Sequence, residues 1–258
     1  MLPLKDQTVL ITGATSGIGR STARLAAAQR CCLILTGRRR DRLETLQEEL
    51  EHQYDTPIHI SVFDVREERS VQQALDALPE SWRDIDVLIN NAGLALGLHP
   101  LHKGQLSDWE TMIDTNIKGL LYVSRWVGGL MCERGAGLIV NVGSIAGKEA
   151  YPNGNVYVAT KHAVDGLTRA MRMDFVAHGV RVGQIAPGHV ETEFALNRFH
   201  GDEARADAVY EGFRPLHPDD VAEAILFMMS RPQHVNVNDM VIMARDQASA
   251  THIHRSGT

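Results

Sequence analysis

The stretch T-V-L-I-T-G-A-T-S-G-I-G, from Thr8 to Gly19, decides the fold. Its apolar first part is typical of a buried strand, and a helical pattern over 18–30 follows the glycines. A strand, a glycine turn and a helix bring backbone N–H groups and a helix N-terminus against a pyrophosphate. The glycines, however, follow G-x3-G-x-G rather than the usual G-x-G-x-x-G. Glycines also serve ordinary tight turns, so the loop predicts a dinucleotide site only in combination with other motifs.

Strand patterns alternate with helical patterns along the rest of the chain. This alternation predicts parallel βαβ units, and hence a single-domain, Rossmann-type doubly wound parallel sheet of about seven strands with helices on both faces. The predicted strands are 8–12, 32–36, 58–63, 87–90, 138–142, 180–185 and 240–243. The predicted helices are 18–30, 40–53, 67–78, 107–132, 155–178 and 218–230.

The segment 192–216 breaks the alternation with short helical pieces. Ligands of open α/β sheets bind beyond the carboxyl ends of the strands, where this segment is inserted. We therefore expect a substrate lid within one domain that spans 1–258; the alternative is a surface loop without a role.

Two helix starts carry recognisable signals. Ser107 and Glu110 have the S-x-x-E spacing of a capping box, which predicts a helix N-terminus there. Pro218 stands where a first helical turn tolerates proline.

Composition narrows the class of protein. The chain has 258 residues and a net charge of −6, which disfavours nucleic acid or an anionic membrane as a partner. No apolar run has the length of a membrane span, and Lys5 and Asp6 interrupt the N-terminal apolar stretch before it could act as a signal peptide. The three cysteines, among them the adjacent Cys31 and Cys32, suggest reduced, small core residues rather than a disulfide framework. We expect a cytoplasmic protein that binds a small molecule and, without a metal-ligand cluster, uses no metal.

A second motif follows the fifth predicted strand. Tyr157 and Lys161 stand four residues apart in Y-V-A-T-K, so a helix would place them on one face. A neighbouring ammonium group favours the phenolate and is expected to lower the pKa of Tyr157, which makes the tyrosine usable as an acid or base. Ser144, just after the strand 138–142, would lie in the same pocket. Three unrelated residues are the alternative, since the Y-x-x-x-K pattern alone is common.

Six motifs in order resemble those of the classical short-chain dehydrogenase/reductase family, over nearly the whole chain. They are T-G-A-T-S-G-I-G at 12–19, N-N-A-G at 90–93, D-T-N-I-K-G with Asn116, Ser144, Y-V-A-T-K at 157–161 and P-G-H-V-E-T at 187–192. Within that family, L-A-L-G, D-W-E-T-M-I-D-T-N, G-N-V-Y and H-V-N-V-N are most similar to the NADP-dependent 3-hydroxy acid (serine or allo-threonine) dehydrogenases.

The resemblance implies a set of site residues. The catalytic set would be Asn116, Ser144, Tyr157 and Lys161. The cofactor contacts would be Gly13, Thr15, Ser16, Gly17, Ile18, Gly19, Arg38, Arg39, Asp64, Val65, Asn91, Ala92, Gly93, Tyr157, Lys161, Pro187, Gly188, Val190 and Thr192. Asp64 could instead cap the next helix, and N-N-A-G could serve stability as much as cofactor binding.

The end of the second strand favours NADP(H) over NAD(H). L-I-L-T-G-R-R-R has no acidic residue to hold a ribose 2′-hydroxyl, and Arg38 and Arg39 follow Gly37 instead. Guanidinium groups bind a 2′-phosphate through charge-assisted hydrogen bonds. A basic helix start is the alternative, since Arg40 and Arg42 continue the run.

By resemblance, Tyr157 exchanges a proton with the substrate oxygen, Ser144 holds that oxygen, Lys161 also binds the nicotinamide ribose, and Asn116 bends its helix and completes a proton relay. Without the resemblance, Asn116 would be interpreted as a hydrogen-bonded core asparagine. The resemblance also implies a homotetramer.

The substrate of the closer relatives carries a carboxylate, which needs a cationic partner when buried. The segment 192–216 offers Arg198, in L-N-R-F, and Arg214, just before Pro215. Arg198 is preferred because it is nearer Thr192, and together with Ser144 and Tyr157 it would form the substrate contacts; the alternative is a surface arginine. Two alternatives remain open. One is a reductase of 3-oxoacyl carrier-protein, sugar or steroid carbonyls, and the other is a non-catalytic NADP-sensing regulator, which would not need Tyr157.

Overall fold

The computed structural model describes residues 2–256, which form one seven-stranded sheet in the order β3-β2-β1-β4-β5-β6-β7. Every neighbouring pair of strands is parallel. The strands are β1 (Thr8–Ile11), β2 (Cys32–Gly37), β3 (Ile58–Val62), β4 (Val87–Asn90), β5 (Gly137–Val142), β6 (Val180–Pro187) and β7 (Asp239–Ile242). The order reverses between β1 and β4, and such a switch point is where open α/β sheets bind ligands. The predicted single-domain, doubly wound sheet is confirmed.

The helices lie close to their predicted positions. They are α1 (Gly17–Ala28), α2 (Arg40–Tyr54), α3 (Glu68–Asp76), α4 (Leu106–Ile113), α5 (Leu120–Arg134), α6 (Asn155–Phe175), α7 (Glu193–Arg198), α8 (Glu203–Ala208) and α9 (Pro218–Met229). Pro218 occupies the first turn of α9, as predicted, with His217 and Asp220 forming a capping box. The short helices α7 and α8 confirm the helical pieces expected within 192–216.

The predicted capping box of Ser107 and Glu110 is wrong. Helix α4 begins one residue earlier, at Leu106, with Gln105 at its N-cap, so Ser107 lies inside the first turn. There the Ser107 carbonyl accepts a bond from Thr111. The predicted helix 107–132 is also not one α-helix, because a π-helical turn over Asp114–Gly119 separates α4 from α5.

Alternating side chains of the strands fill two apolar layers, one on each face of the sheet. Val9 and Ile11 of β1 pack with residues of α1, α2 and α9. Leu10, between them, packs on the opposite face with residues of α3, α5 and α6. All three side chains are fully buried, as expected for a sheet covered by helices on both sides.

The expectation for the cysteines holds only in part. All three cysteines are free thiols, and burial raises the pKa of Cys31 to about 12. Cys32 and Cys132, however, are only half-buried. Within residues 2–256, none of the helices has the length and apolar character needed to cross a membrane.

Candidate active site

The carboxyl ends of the strands open onto a cavity of about 710 Å³, a size within the range of ligand-binding sites. It is bounded by the glycine loop, the ends of β2 to β6 and the 192–216 segment. Of the residues expected to contact the cofactor, those that line it are Gly13, Thr15, Ser16, Gly17, Ile18, Arg38, Arg39, Asp64, Val65, Asn91, Ala92, Gly93, Tyr157, Lys161, Pro187, Gly188, Val190 and Thr192. Gly19 is the exception.

The glycines of the loop have separate reasons to be glycine. Gly13 and Gly17 have φ angles of +66° and +50°, in the left-handed region that strains other residues. A Cβ on Gly19 would collide with the Asn91 side chain and the Gly13 carbonyl. Asn91 Nδ2 donates to the carbonyls of Thr12 and Gly13 at 2.9 and 3.1 Å. Gly19 therefore allows the close packing that shapes the loop and lies behind the cavity wall.

The rest of the N-N-A-G motif ties strands together. Asn90 Nδ2 donates to Asn141 Oδ1 on β5 at 2.9 Å and to Ser124 Oγ on α5 at 2.8 Å. The motif thus serves both stability, through Asn90, and the shape of the glycine loop, through Asn91.

Arg39 reaches from the end of β2 to the glycine loop. Its Nη2 atom donates to Thr15 Oγ1 at 2.7 Å and to Ser16 Oγ at 3.2 Å. Arg38 lies beside Asp64, with 3.8 Å between Nη1 and Oδ2, and its side chain is largely exposed. Two guanidinium groups and two hydroxyl groups at one rim of the cavity fit a 2′-phosphate. The residues present therefore fit a phosphorylated dinucleotide.

Asp64 does not cap the next helix, since Glu67 occupies the N-cap of α3. Its carboxylate accepts hydrogen bonds from Arg66, with 2.7 Å between Nη2 and Oδ2. Burial raises the pKa of Asp64, but the bonds from Arg66 outweigh it and hold this pKa below its usual range. Asp64 thus stays ionised at the cavity wall.

Ser144, Tyr157 and Lys161 all line the cavity. Ser144 follows β5, and its Oγ accepts a bond from the Ala146 backbone. Tyr157 and Lys161 lie one turn apart on α6, and both side chains are buried. Lys161 Nζ donates to the Val142 carbonyl at 2.9 Å and lies 6.0 Å from the centroid of the Tyr157 ring.

The expected lowering of the Tyr157 pKa by Lys161 is not found. Burial dominates and raises the pKa of Tyr157 above its usual range, while a hydrogen bond with Ser144 and the charge of Arg198 oppose it. Burial also lowers the pKa of Lys161, to about 8. Desolvation therefore dominates the pKa of both side chains.

Asn116 lies in the π-helical turn between α4 and α5, so the helix is irregular at this residue. Its side chain forms a reciprocal pair with the Leu94 backbone, accepting from the N–H at 2.9 Å and donating to the carbonyl at 2.8 Å. Nδ2 also donates to Thr160 Oγ1. Asn116 does not line the cavity, but its Oδ1 and Lys161 Nζ both lie close to Gly93. The role of Asn116 in a relay stays a prediction.

Helix α7 covers Tyr157 with an aromatic ring and a cation. The rings of Phe194 and Tyr157 meet edge to face, 5.5 Å apart. The Arg198 guanidinium lies 5.4 Å from the Tyr157 ring centroid and donates to the Tyr151 hydroxyl at 2.8 Å. Arg198 does not itself line the cavity, but it is next to a residue that does.

Thr192 and Gly188 position the start of the 192–216 segment. Thr192 Oγ1 accepts from the Phe194 N–H and so caps α7. Its methyl group packs on Gly17. A Cβ on Gly188 would collide with the Gln247 side chain, whose Oε1 accepts from the His189 N–H at 2.8 Å.

Sequence reasoning missed Thr115, Glu193 and Phe194, all of which line the cavity. Thr115 Oγ1 is buried without a hydrogen-bond partner within residues 2–256, which suits a polar ligand. Phe194 could have been found, since it precedes Arg198 by one helical turn. The part of the chain that the structure describes contains no cluster of three potential metal ligands.

A glycine-loop cavity at the switch point, lined by a buried tyrosine, lysine and serine, defines a dinucleotide-dependent oxidoreductase. The chain belongs to the short chain dehydrogenase family, whose model matches residues 7–203. The predicted family and enzyme class are confirmed.

Similar proteins share nearly the whole chain. A protein of Chromohalobacter salexigens named sulfoacetaldehyde reductase 2 is 50% identical over 93% of this chain and 95% of its own length. A Schizosaccharomyces pombe protein named NADP-dependent 3-hydroxy acid dehydrogenase is 42% identical over 99% of both chains. The structure of a closed serine dehydrogenase with NADP+ superposes with a TM-score of 0.90 at 43% identity, over 96% of this chain and 100% of that one. The predicted cofactor, NADP(H), agrees with two of these names.

Proposed function

We propose that this chain interconverts a small 3-hydroxy acid, such as serine, allo-threonine or 3-hydroxypropionate, and its 3-oxo acid with NADP(H). The observation that supports this substrate class is the position of Arg198 against the Tyr157 ring. Within residues 2–256, the Arg198 Nη1 group has no protein hydrogen-bond partner, so it can bind a carboxylate. The uncharged sugar or steroid carbonyls of the alternative interpretation give this cation no partner.

The cofactor supplies the hydride, and the protein positions the substrate and handles the proton. Tyr157 donates its hydroxyl proton to the carbonyl oxygen in reduction and accepts it in oxidation. Ser144 lies beside Tyr157 and hydrogen-bonds the same substrate oxygen. At neutral pH the hydroxyl of Tyr157 is protonated, which is the form that must donate in the direction of reduction.

Lys161 and Asn116 act together with Tyr157 through the contacts that hold their side chains in place. Lys161 Nζ is anchored by the Val142 carbonyl and faces the cavity, where it can hydrogen-bond the nicotinamide ribose. Asn116 keeps the Leu94 backbone and Thr160 in place beside Gly93. In oxidation this side of the cavity carries away the proton that Tyr157 accepts, and in reduction it resupplies the proton that Tyr157 donates.

Arg38 and Arg39 bind the 2′-phosphate, and the glycine loop binds the pyrophosphate at the N-terminus of α1. The 192–216 segment, here called the lid, closes over Tyr157 through α7. We further propose that the protein is a homotetramer, as its family resemblance implies, and that it works in the cytoplasm, as its composition suggests.

A second candidate substrate is a hydroxy- or oxo-sulfonate. The relative that is 50% identical is named for sulfoacetaldehyde. In 2-hydroxyethanesulfonate the anionic group is separated from the carbinol carbon by one methylene, as in 3-hydroxypropionate. The same arginine can therefore hold either anion.

The alternative of a non-catalytic NADP-sensing regulator is disfavoured, because a protein that only binds the cofactor needs no Tyr157.

The test is a substrate panel with the purified protein and NADP+. It contains 3-hydroxypropionate, serine, allo-threonine, 2-hydroxyethanesulfonate and an uncharged primary alcohol, and the formation of NADPH is followed by absorbance. We expect kcat/KM to be highest for one of the anionic substrates. The highest value for the uncharged alcohol would contradict the proposal.

A further inference from the structure

Glu193, the first residue of α7, joins the lid to the arginines beside the cavity. Its carboxylate accepts hydrogen bonds from Arg42 Nη1 at 2.8 and 3.1 Å, and its Oε2 atom lies 3.4 Å from Arg39 Nη1. Arg39 at the same time donates to Thr15 and Ser16 of the glycine loop. One carboxylate on the lid therefore connects α7 to α2 and, through Arg39, to the cofactor loop.

The two ends of α7 are held by different contacts. At its C-terminal end, the Gly97 N–H donates to the Arg198 carbonyl at 2.9 Å, and Arg198 Nε donates back to the Gly97 carbonyl at 3.4 Å. At its N-terminal end, Thr192 caps the helix within the lid itself, and Glu193 provides the ion pairs to α2. Phe194, which covers Tyr157, directly follows Glu193.

We infer that Glu193 is a positioning residue that latches the N-terminal end of α7 over Tyr157 through its ion pairs with Arg42 and Arg39. The inference rests on the proposed function, in which 192–216 is a substrate lid and Arg39 binds the cofactor 2′-phosphate. The latch favours the closed lid, so it strengthens the binding of the substrate that lies beneath α7.

Glu193 and a 2′-phosphate are both anions that bind Arg39. The effect of a Glu193 substitution on NADPH binding therefore distinguishes a residue that latches the lid from one that supports the cofactor site. Arg42 does not line the cavity, so it remains with Glu193 when the phosphate binds Arg39. A neutral side chain at 193 therefore loosens the lid but removes a competing negative charge from the phosphate site. NADPH binding should stay unchanged or become tighter.

The test compares Glu193→Gln, Arg42→Gln and the double variant with the control Glu203→Gln. Glu203 is an exposed acid at the start of α8 and has no ion-pair partner within residues 2–256. Hydrogen exchange of residues 193–199 is measured in the cofactor-free chain, together with KM for the best acid substrate, kcat and the Kd of NADPH.

We expect Glu193→Gln and Arg42→Gln each to speed this exchange and to raise KM by about two- to fivefold, the range of a half-exposed ion pair. The double variant should be no worse than Glu193→Gln alone, because that substitution already removes the ion pair with Arg42. The values of kcat should stay near wild type, and Glu203→Gln should behave as wild type.

The latch would be overturned if Glu193→Gln had the same hydrogen-exchange rate over residues 193–199 and the same KM as Glu203→Gln. A Glu193→Gln variant that binds NADPH more weakly, in parallel with its higher KM, would also overturn the latch, since Glu193 would then support the cofactor site. Absence of wild-type turnover on every acid would instead refute the proposed function, while the exchange measurement would still decide on the latch.

Discussion

The Arg198 guanidinium lies 5.4 Å from the centroid of the Tyr157 ring. Phe194, one helical turn before it on α7, meets the same ring edge to face at 5.5 Å. One short helix thus places a cation and an apolar ring next to the proposed proton donor. A substrate beneath α7 would meet both, which favours a short chain that ends in an anion.

Replacing Tyr157 by Phe should nearly abolish turnover while leaving NADPH binding intact. Only the hydroxyl is lost, and the buried ring keeps its packing against Phe194. Removing a general acid costs about 10² to 10⁴ in rate, and more if it is the sole proton donor. Wild-type kcat in Tyr157→Phe would mean that another group transfers the proton.

Replacing Arg38 and Arg39 together by Ala should weaken NADPH binding much more than NADH binding. NADPH alone has the 2′-phosphate, and charge-assisted hydrogen bonds contribute about 1.5–3 kcal/mol each. The preference for NADPH should therefore fall at least about tenfold, measured by titration with both cofactors. Equal losses for the two cofactors would assign these arginines to the fold.

Gly19→Ala should impair both stability and cofactor binding. Its methyl group would collide with the Asn91 side chain and the Gly13 carbonyl, which must then move out of their positions in the loop. Gly129→Ala is the matched control, because a Cβ on Gly129 of α5 meets no atom within 4 Å. The Tm from thermal unfolding and the Kd from NADPH titration are compared for the two variants. Equal values would show that the loop tolerates a side chain at position 19.

The buried Lys161 should make the free energy of unfolding vary with pH in the alkaline range. Its pKa is about 8 in the folded chain, against 10.5 as the ordinary value. Between these two pH values the unfolded chain binds more protons, so the free energy of unfolding rises with pH. Relative to Lys161→Met, the cofactor-free wild type should gain on the order of 3 kcal/mol across this window. A pH-independent difference in urea unfolding would show that the lysine titrates normally.

The sheet was predictable because its signals are local and agree with one another. Val9, Leu10 and Ile11 give β1 apolar side chains on both of its faces, as a strand covered by helices on both sides requires. The switch point then follows from the strand order, and it places the ends of β1 and β4 beside the cavity. The six ordered motifs contain many of the residues that line it, among them Gly13, Ser144 and Tyr157.

What the sequence could not predict depends on contacts across the fold. The pKa of Tyr157 is one case, since burial outweighs the opposing hydrogen bond with Ser144 and the charge of Arg198. Glu193 is another, because its arginine partners stand more than 150 residues earlier in the chain. The start of α4 differs by one residue because S-x-x-E is also compatible with a first turn that begins at Leu106.

The most direct measurement compares wild type and Arg198→Ala on 3-hydroxypropionate and on its amide, with NADP+ and the formation of NADPH as the readout. Loss of a charge-assisted hydrogen bond should raise KM for the acid about tenfold and change little for the amide. The wild type should prefer the acid. An equal effect of Arg198→Ala on both compounds would remove this arginine from the substrate site, and a wild type that does not prefer the acid would contradict the assignment of a hydroxy acid substrate.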